Sequence, residues 1–461
     1  MLTEKDPRLA GRVAFTYPNF VAYTFARFFI VLALEMQSVA VGWQVYEITK
    51  RPIDLGYVGL AQFLPGFVLF LFAGHAADLF DRRKLLMWCY AGYALSSALL
   101  LAVTRHAPVS VHLIYVVLVL VGSVRSFSFP VSRAILPQLV PTEHFPNAVA
   151  WNASTFQVAT IAGPALGGIV YAAFRGPEAV YVTSVVVAVL SMLLTLRIQL
   201  IDGSAERTRA QGIAVEPNAD QANADQAKAG EVNAGQADGS QSQANRPPAK
   251  EPISLRTVLA GFHFIWEKKL ILGSISLDMF AVLLGGAVAL LPIYARTILH
   301  TGPWGLGLLR SAPGVGAALM AIVVAHWPIR RRAGITMLTA VAGFGVFTII
   351  FGISHNLIVS LIALLLLGAS DMVSVIIRAT LVQVATRDEM RGRVNAVDML
   401  FIGVSNELGE FESGLTAQWF GTVPAVILGG VGTLAVIAAW AWLFPELRKA
   451  DQLTVAEVMP K

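Results

Sequence analysis

Charge and cysteine are what this sequence is short of. Of 461 residues only 34 are basic and 29 acidic, 14% of the chain, against about 25% charged in an ordinary soluble domain. So few charged side chains cannot cover the surface of a soluble protein of this length. The single cysteine, Cys89, lies in the apolar run around Met87–Tyr90, which excludes an intrachain disulfide and a cysteine-based metal site. No lysine follows a glycine, so a Walker phosphate loop is absent. No histidine is followed by glutamate, and nothing resembles a nucleophile elbow or a dinucleotide fingerprint. An enzyme is therefore not expected, and no cofactor or metal is implied. The net charge of +5 is small for this length; it fits the basic fringe of a membrane protein rather than a nucleic-acid surface.

Apolar residues are what the chain has instead. At 56% of 461 they number about 258, and twelve spans of ~20 residues need roughly 240. Runs of spanning length fall near 20–46, 56–77, 85–104, 110–131, 147–174, 178–198, 270–294, 304–326, 334–353, 357–380, 394–420 and 424–444. They lack the short alternation of outer-membrane strands, so the spans are helices. The expected fold is an all-α polytopic membrane protein with twelve transmembrane helices in two six-helix halves.

The expected divisions are a cytoplasmic N-terminal segment (1–19), a six-helix bundle (20–198), a disordered cytoplasmic linker (199–252), a surface helix plus second bundle (253–444), and a cytoplasmic tail (445–461). The linker runs in Ala, Gln, Asn, Asp, Gly, Ser and Pro, and cannot bury enough apolar surface to offset ordering entropy. Residues 253–268 space Ile253, Leu255, Val258, Leu259, Phe262, Ile265 and Trp266 at helical intervals, as a helix lying on the membrane surface would. The first nineteen residues are polar and basic (Lys5, Arg8, Arg12), so the first span is expected to be its own insertion signal. Short loops on the side of both termini hold Arg82, Arg83, Lys84, Arg133, Arg330, Arg331, Arg332, Arg387, Arg391 and Arg393. The opposite loops hold only Lys50, Arg51, Arg105, Arg175 and Arg296. Both termini are therefore expected in the cytoplasm, and the chain in a bacterial inner membrane.

The halves repeat each other. Leu60-Ala-Gln-Phe-Leu-Pro65-Gly66 with Arg82-Arg83-Lys84 matches Leu308-Leu-Arg-Ser-Ala-Pro313-Gly314 with Arg330-Arg331-Arg332, without a gap. Arg133-Ala-Ile-Leu-Pro-Gln138 matches Arg378-Ala-Thr-Leu-Val-Gln383. Parallel six-helix repeats are the layout of a transporter whose substrate site lies between them near mid-membrane.

Three motifs carry a family resemblance. The first is Gly74-His-Ala-Ala-Asp78-Leu-Phe-Asp81-Arg82-Arg83-Lys84 after the second span. The second is Ala159-Thr-Ile-Ala-Gly163-Pro164-Ala-Leu-Gly167-Gly168 in the fifth. The third set is Met36–Tyr46 with Ser405-Asn-Glu-Leu-Gly-Glu-Phe-Glu-Ser-Gly414. The first resembles the cytoplasmic loop motif of the major facilitator superfamily, departing at Leu79, where a basic residue is usual, and Asp81, where glycine is usual. The second is similar to that superfamily's antiporter motif, and the third resembles its bacterial enterobactin-exporter branch. The resemblance implies secondary transport by alternating access: proton-driven export of a small amphipathic molecule such as a siderophore or drug. Uptake by symport on the same fold is the alternative, and a non-transporting membrane enzyme or receptor is a third reading, disfavoured by the absent catalytic motifs. Small-molecule substrate, protons and the lipid bilayer are the implied partners, and the chain is expected to act as a monomer.

Candidate residues follow from charge placement. A carboxylate at Asp78 beside Arg82 and Arg83 can accept from an arginine and from helix N-terminal amides, a contact able to close one face; positive-inside anchoring is the plainer reading. Gly74 and Arg378 complete the expected cytoplasmic gate. In Gly163-Pro164…Gly167-Gly168, proline removes a helix hydrogen bond and the glycines let a neighbouring backbone approach. Glu35, Arg125, Asp278 and Asp371 lie inside spans 1, 4, 7 and 10, which the resemblance makes cavity-lining. A second acidic cluster in span 11 holds Asn406, Glu407, Glu410 and Glu412. Charges facing lipid cost ~3 kcal/mol each, so these face the interior or a wet cavity. Coupling needs a carboxylate that can titrate in such a site, and Glu35 is the first choice; a structural pair of Glu35 with Arg125 is the alternative. Trp43, Tyr46, Phe63 and Phe156 are candidate aromatic cavity contacts.

Overall fold

A computed structural model describes residues 11–199, 255–329 and 331–451. The expected linker, apart from residue 199, lies outside the described residues. The first half is built from α1 (Pro18–Thr49), α2 (Pro52–Leu79), α3 (Arg82–Arg105), α4 (Val111–Ile135), α5 (Phe145–Phe174) and α6 (Glu178–Leu196). The second is built from α7 (Lys269–Gly285), α8 (Gly302–His326), α9 (Ala333–Ile353), α10 (Leu357–Ala385), α11 (Asp388–Phe420) and α12 (Thr422–Leu443). A further helix, Leu255–Glu267, precedes α7 and packs on the start of α11.

Local chemistry explains where these helices begin. Pro18, Pro52 and Pro303 occupy first turns, where no backbone donor is lost. The Asp81 carboxylate accepts from the amides of Arg83 (2.9 Å) and Lys84 (3.1 Å), capping α3. That is what an aspartate does at the motif position where glycine is usual. Asn356 caps α10 in the same way, accepting from Ile358 and Val359.

Among the described residues, eleven helices are long and apolar enough to cross a membrane; α11 is too polar to be counted with them. Its Asp398, Glu407 and Glu410 are turned to partners or to a cavity, which is where such groups are tolerated. The seventh span, Lys269–Ile298, is broken near its middle. After Gly285 the chain passes through a tight turn (Ala287–Leu290), Leu291–Ile293 and a wide turn (Tyr294–Ile298). Ser413 of α11 donates to the carbonyl of Gly286 at 2.8 Å, so the interruption does not leave that oxygen unpaired.

The two halves meet along α5–α8 and α2–α11. Lipid supplies no hydrophobic force between helices, so close backbone packing must hold these seams. A β-carbon on Gly168 would come 2.5 Å from the Pro303 carbonyl oxygen and 3.0 Å from Gly307 Cα. One on Gly414 would lie 3.0 Å from Gly56 Cα. The seams are related by the internal repeat: Ala159–Gly168 aligns with Ser405–Gly414, placing Gly163 with Gly409, Pro164 with Glu410 and Gly168 with Gly414.

One apolar core runs through both halves on the side away from the termini, uniting Trp43, Val45 and Leu55 with Leu291, Leu309 and Phe351. On the terminus side the cores are separate: Tyr23, Leu86 and Ile135 in the first half, Leu277, Met337 and Leu381 in the second. The halves are therefore closed together on the far side and apart on the side of the termini.

Candidate functional site

Between the halves lies a cavity of ≈ 610 Å³, lined from both. Glu35 and Gln62 come from the first half with Arg125; Arg310, Asp371, Asn406, Glu407 and Glu410 come from the second. Arg27 and Phe156 line it toward the terminus side, where the separate cores leave it open. Of the expected cavity set, Glu35, Arg125 and Asp371 line the cavity, and Asp278 does not.

Arg125 on α4 meets Glu407 on α11 at 3.5 Å, an ion pair joining the halves across the cavity. Glu35 therefore does not have Arg125 as its ion-pair partner. It makes no ion pair within 4.0 Å among the described residues, but stands half-buried in the fields of Arg310 and Arg125. Its β-carbon packs where a side chain on Gly163 would project. A β-carbon on Gly167 would lie 2.7 Å from Met36 Cα, so the α5 glycines seat α5 directly on the turn of α1 that carries Glu35. Pro164 contributes through its carbonyl, 2.5 Å from a β-carbon on Gly307. The motif thus joins α1, α5 and α8.

The acidic cluster of α11 divides. Glu407 and Glu410 share the cavity face, and Glu410 fills the space beside Gly59 of α2. Glu412 turns away and accepts from the Thr416 hydroxyl at 2.6 Å. Asn406 lines the cavity, while Ser413 serves Gly286 rather than the glutamates.

Asp278 is withdrawn into the second half. Arg378, 3% exposed, lies 3.4 Å from Asp278 and is also paired with Asp398. Ser374 donates to Asp278 at 3.4 Å. The face of α7 carrying Asp278 turns toward α10 and α11 rather than the cavity, and two carboxylates draw Arg378 inward from the expected gate. Arg82 donates to the Ala134 carbonyl (3.1 Å), and Arg83 to those of Thr195 (3.3 Å) and Leu196. Both arginines cover helix C-termini within the first half, where free carbonyls favour cations. The surroundings of Gly74 and the side chain of Asp78 lie outside what the structure describes.

Among the expected aromatics, Phe156 lines the cavity. Trp43 and Tyr46 belong to the far-side core, and Phe63 packs on the exposed Phe67. Two residues escaped the sequence reading: Arg310, which lines the cavity, and Asp398, which holds Arg378. Both are charges inside spans, so the criterion that selected Glu35 finds them too. The repeat offers a second signal, since Arg310 occupies the place of Gln62. A far-side contact was also missed. Arg296, after the broken α7, meets Glu47 of α1 at 3.1 Å and lies over the Trp43 ring, while Tyr171 donates to Glu47 at 3.3 Å. Among the described residues no three His, Cys, Asp or Glu side chains gather as a metal site requires.

Paired six-helix halves around a charged cavity between them are the layout of a membrane transporter. The family model of the Major Facilitator Superfamily matches residues 23–410, and the chain belongs to that superfamily. It is a transporter, not an enzyme. It is 24% identical over 444 residues to the enterobactin exporter EntS of Citrobacter koseri, covering 95% of this chain and 94% of that protein. It is 23% identical over 407 residues to a Na(+), Li(+), K(+)/H(+) antiporter of Planococcus maritimus, covering 84% and 86%. Among solved structures, the inward-open xylose transporter XylE from E. coli superposes with a TM-score of 0.65 at 11% identity, over 96% of this chain and 99% of that one. An inward-facing bacterial homologue of the lysosomal transporter Spinster superposes with a TM-score of 0.64 at 12% identity, over 93% and 95%.

Proposed function

We propose that this transporter is a proton-coupled exporter of a small amphipathic molecule, a siderophore or a drug, working by alternating access in a bacterial inner membrane. The observation that carries this reading is Glu35: a carboxylate facing the central cavity with no ion pair among the described residues, seated on the antiporter-like glycines of α5. Likeness to an enterobactin exporter and to a cation/proton antiporter supports export and exchange. The basic loops support cytoplasmic termini, and with them the open side of the cavity faces the cytoplasm. The cycle follows. Substrate enters from the cytoplasm and displaces the proton from Glu35. The halves rock so that the far side opens, substrate leaves, and Glu35 is reprotonated. The fields of Arg310 and Arg125 favour the deprotonated carboxylate, and the Arg125–Glu407 pair must part when the halves move.

Everted vesicles test this. Substrate added to vesicles with an imposed proton gradient is expected to release protons in wild type. Glu35→Gln is expected to reduce uphill export to background while leaving substrate binding and downhill exchange measurable. Full uphill export by that variant would make Glu35 structural and move the proton to Asp371 or Glu410. Proton and substrate moving in the same direction would mean symport.

A further inference from the structure

The repeat that matches Arg133 with Arg378 also matches Asn152 with Asp398, by the register that pairs Gly163 with Gly409. In the second half that arginine is neutralised by two carboxylates. In the first half its counterpart has none among the described residues. Arg133 lies over the Phe129 ring at 4.5 Å, and its nearest acceptor across the gap is the Met399 sulfur at 3.0 Å. A second guanidinium stands beside it. Arg27 lies over the Phe156 ring at 5.0 Å and donates to the carbonyl and side-chain oxygens of Asn152. The two cations are close enough to repel one another, and among the described residues neither makes an ion pair. Next to Arg27 on the cavity wall, the Tyr90 hydroxyl, on a residue 1% exposed, has no hydrogen-bond partner among the described residues.

Arg27 and the buried Tyr90 hydroxyl line the cavity itself, where an uncompensated charge and an unused hydroxyl favour a ligand that completes them, and the exposed Arg133 stands beside them on Phe129, which also lines the cavity. We propose that Arg27 and Arg133, each laid on an aromatic ring, form an anion-binding entry site, and that the ligand is a planar or aromatic molecule with one anionic end. The rings hold each guanidinium flat, leaving its donor edge for a carboxylate, phenolate or phosphate and its neighbourhood suited to stacking. Deeper in, Glu35, Asp371, Glu407 and Glu410 outnumber Arg125 and Arg310 on the cavity wall. They repel a second anionic group and favour a neutral or donor-bearing opposite end. The ligand is thus oriented, anionic end toward the termini. This inference rests on the transporter reading for the identity of the ligand as cargo, but the site itself can be tested without transport.

The test titrates purified full-length protein with three fluorescent probes of one shape: 2-naphthoate, 2-naphthamide and 2-naphthylmethylammonium. Naphthoate is expected to bind tightest. Arg27→Gln and Arg133→Gln are each expected to weaken naphthoate roughly tenfold, the worth of one charged hydrogen bond, and to leave naphthamide within about twofold. Phe156→Leu should weaken naphthoate and naphthamide alike. If either glutamine variant fails to elute as a folded monomer, Arg27→Lys and Arg133→Lys decide, because they keep the charge and lose the flat fork. Equal affinity for the three probes in wild type, or naphthoate binding unchanged in every arginine variant, would overturn the proposal. Proton-driven flux in proteoliposomes is measured separately. Arginine-dependent naphthoate binding without flux defeats the transporter mechanism and leaves the site standing; flux with no preference among the probes does the reverse.

Discussion

Arg378 and Arg133 hold the same place in the two repeats and live in opposite electrical surroundings. Arg378 is buried between Asp278 and Asp398, so its loss would leave two carboxylates uncompensated in the protein interior. Arg378→Ala is expected to destabilise the protein by ~3–5 kcal/mol, measured as an earlier unfolding midpoint in detergent. Adding Asp278→Asn and Asp398→Asn should restore much of that stability. An unchanged midpoint in the single variant would mean the triad is not structural. Each of these charges could be picked out by its place in an apolar run. Their pairing could not, since it depends on how α7, α10 and α11 are rotated about their axes.

At the scale of the element, α5 and α11 are the same device used twice. Each lays a glycine ladder against one helix of its own half and one of the other, and in α11 Glu410 stands where α5 has Pro164. The α5 ladder is unforgiving, because what it meets on α1 is backbone. Gly167→Ala would set a β-carbon 2.7 Å from Met36 Cα, and overpacking of this kind costs about 1–3 kcal/mol. Gly66→Ala on α2 meets only the Ser126 hydroxyl, at 3.7 Å, and should be nearly neutral. Thermal unfolding of the two variants side by side checks this, and equal midpoints would refute the account. The ladder itself was legible in the sequence as glycines four apart beside a proline. That α11 carries its counterpart was hidden by the glutamates, which change the chemistry while keeping the spacing.

For the whole molecule, the far-side closure rests on a continuous apolar core and on Glu47–Arg296 with Trp43 and Tyr171 around it. Glu47→Gln removes the charge from a contact made only when the far side is shut. It is expected to shift the population toward far-side-open by up to roughly fivefold, since a half-exposed pair contributes up to about 1 kcal/mol. A cysteine placed at Ser38 on the cavity wall, in a background lacking Cys89, should then label faster from the far side. No change in rate would assign closure to the apolar core alone. The chain joining the halves is expected to be a tether. Deleting 210–245, whose composition offers almost no large apolar side chain, should leave insertion and transport nearly intact. Loss of insertion would refute the tether.

Apolar runs in the sequence by themselves marked the twelve spans, with α11 the polar exception among them, and internal similarity showed that they form two related halves. Both follow from one-dimensional physics: a bilayer sets the length of each span, and repeated order shows without knowledge of contacts. Charge inside spans marked Glu35, Arg125, Asp371, Glu407 and Glu410, because no such group is stable against lipid. Tertiary structure decided the rest. It gave Arg125 to Glu407 rather than to Glu35, drew Asp278 out of the cavity and Arg378 away from the gate into a buried triad, and closed the halves on one side only. These outcomes depend on the rotation of each helix and on contacts between residues as far apart in sequence as 125 and 407, where pairing energy rather than local pattern chooses the partner.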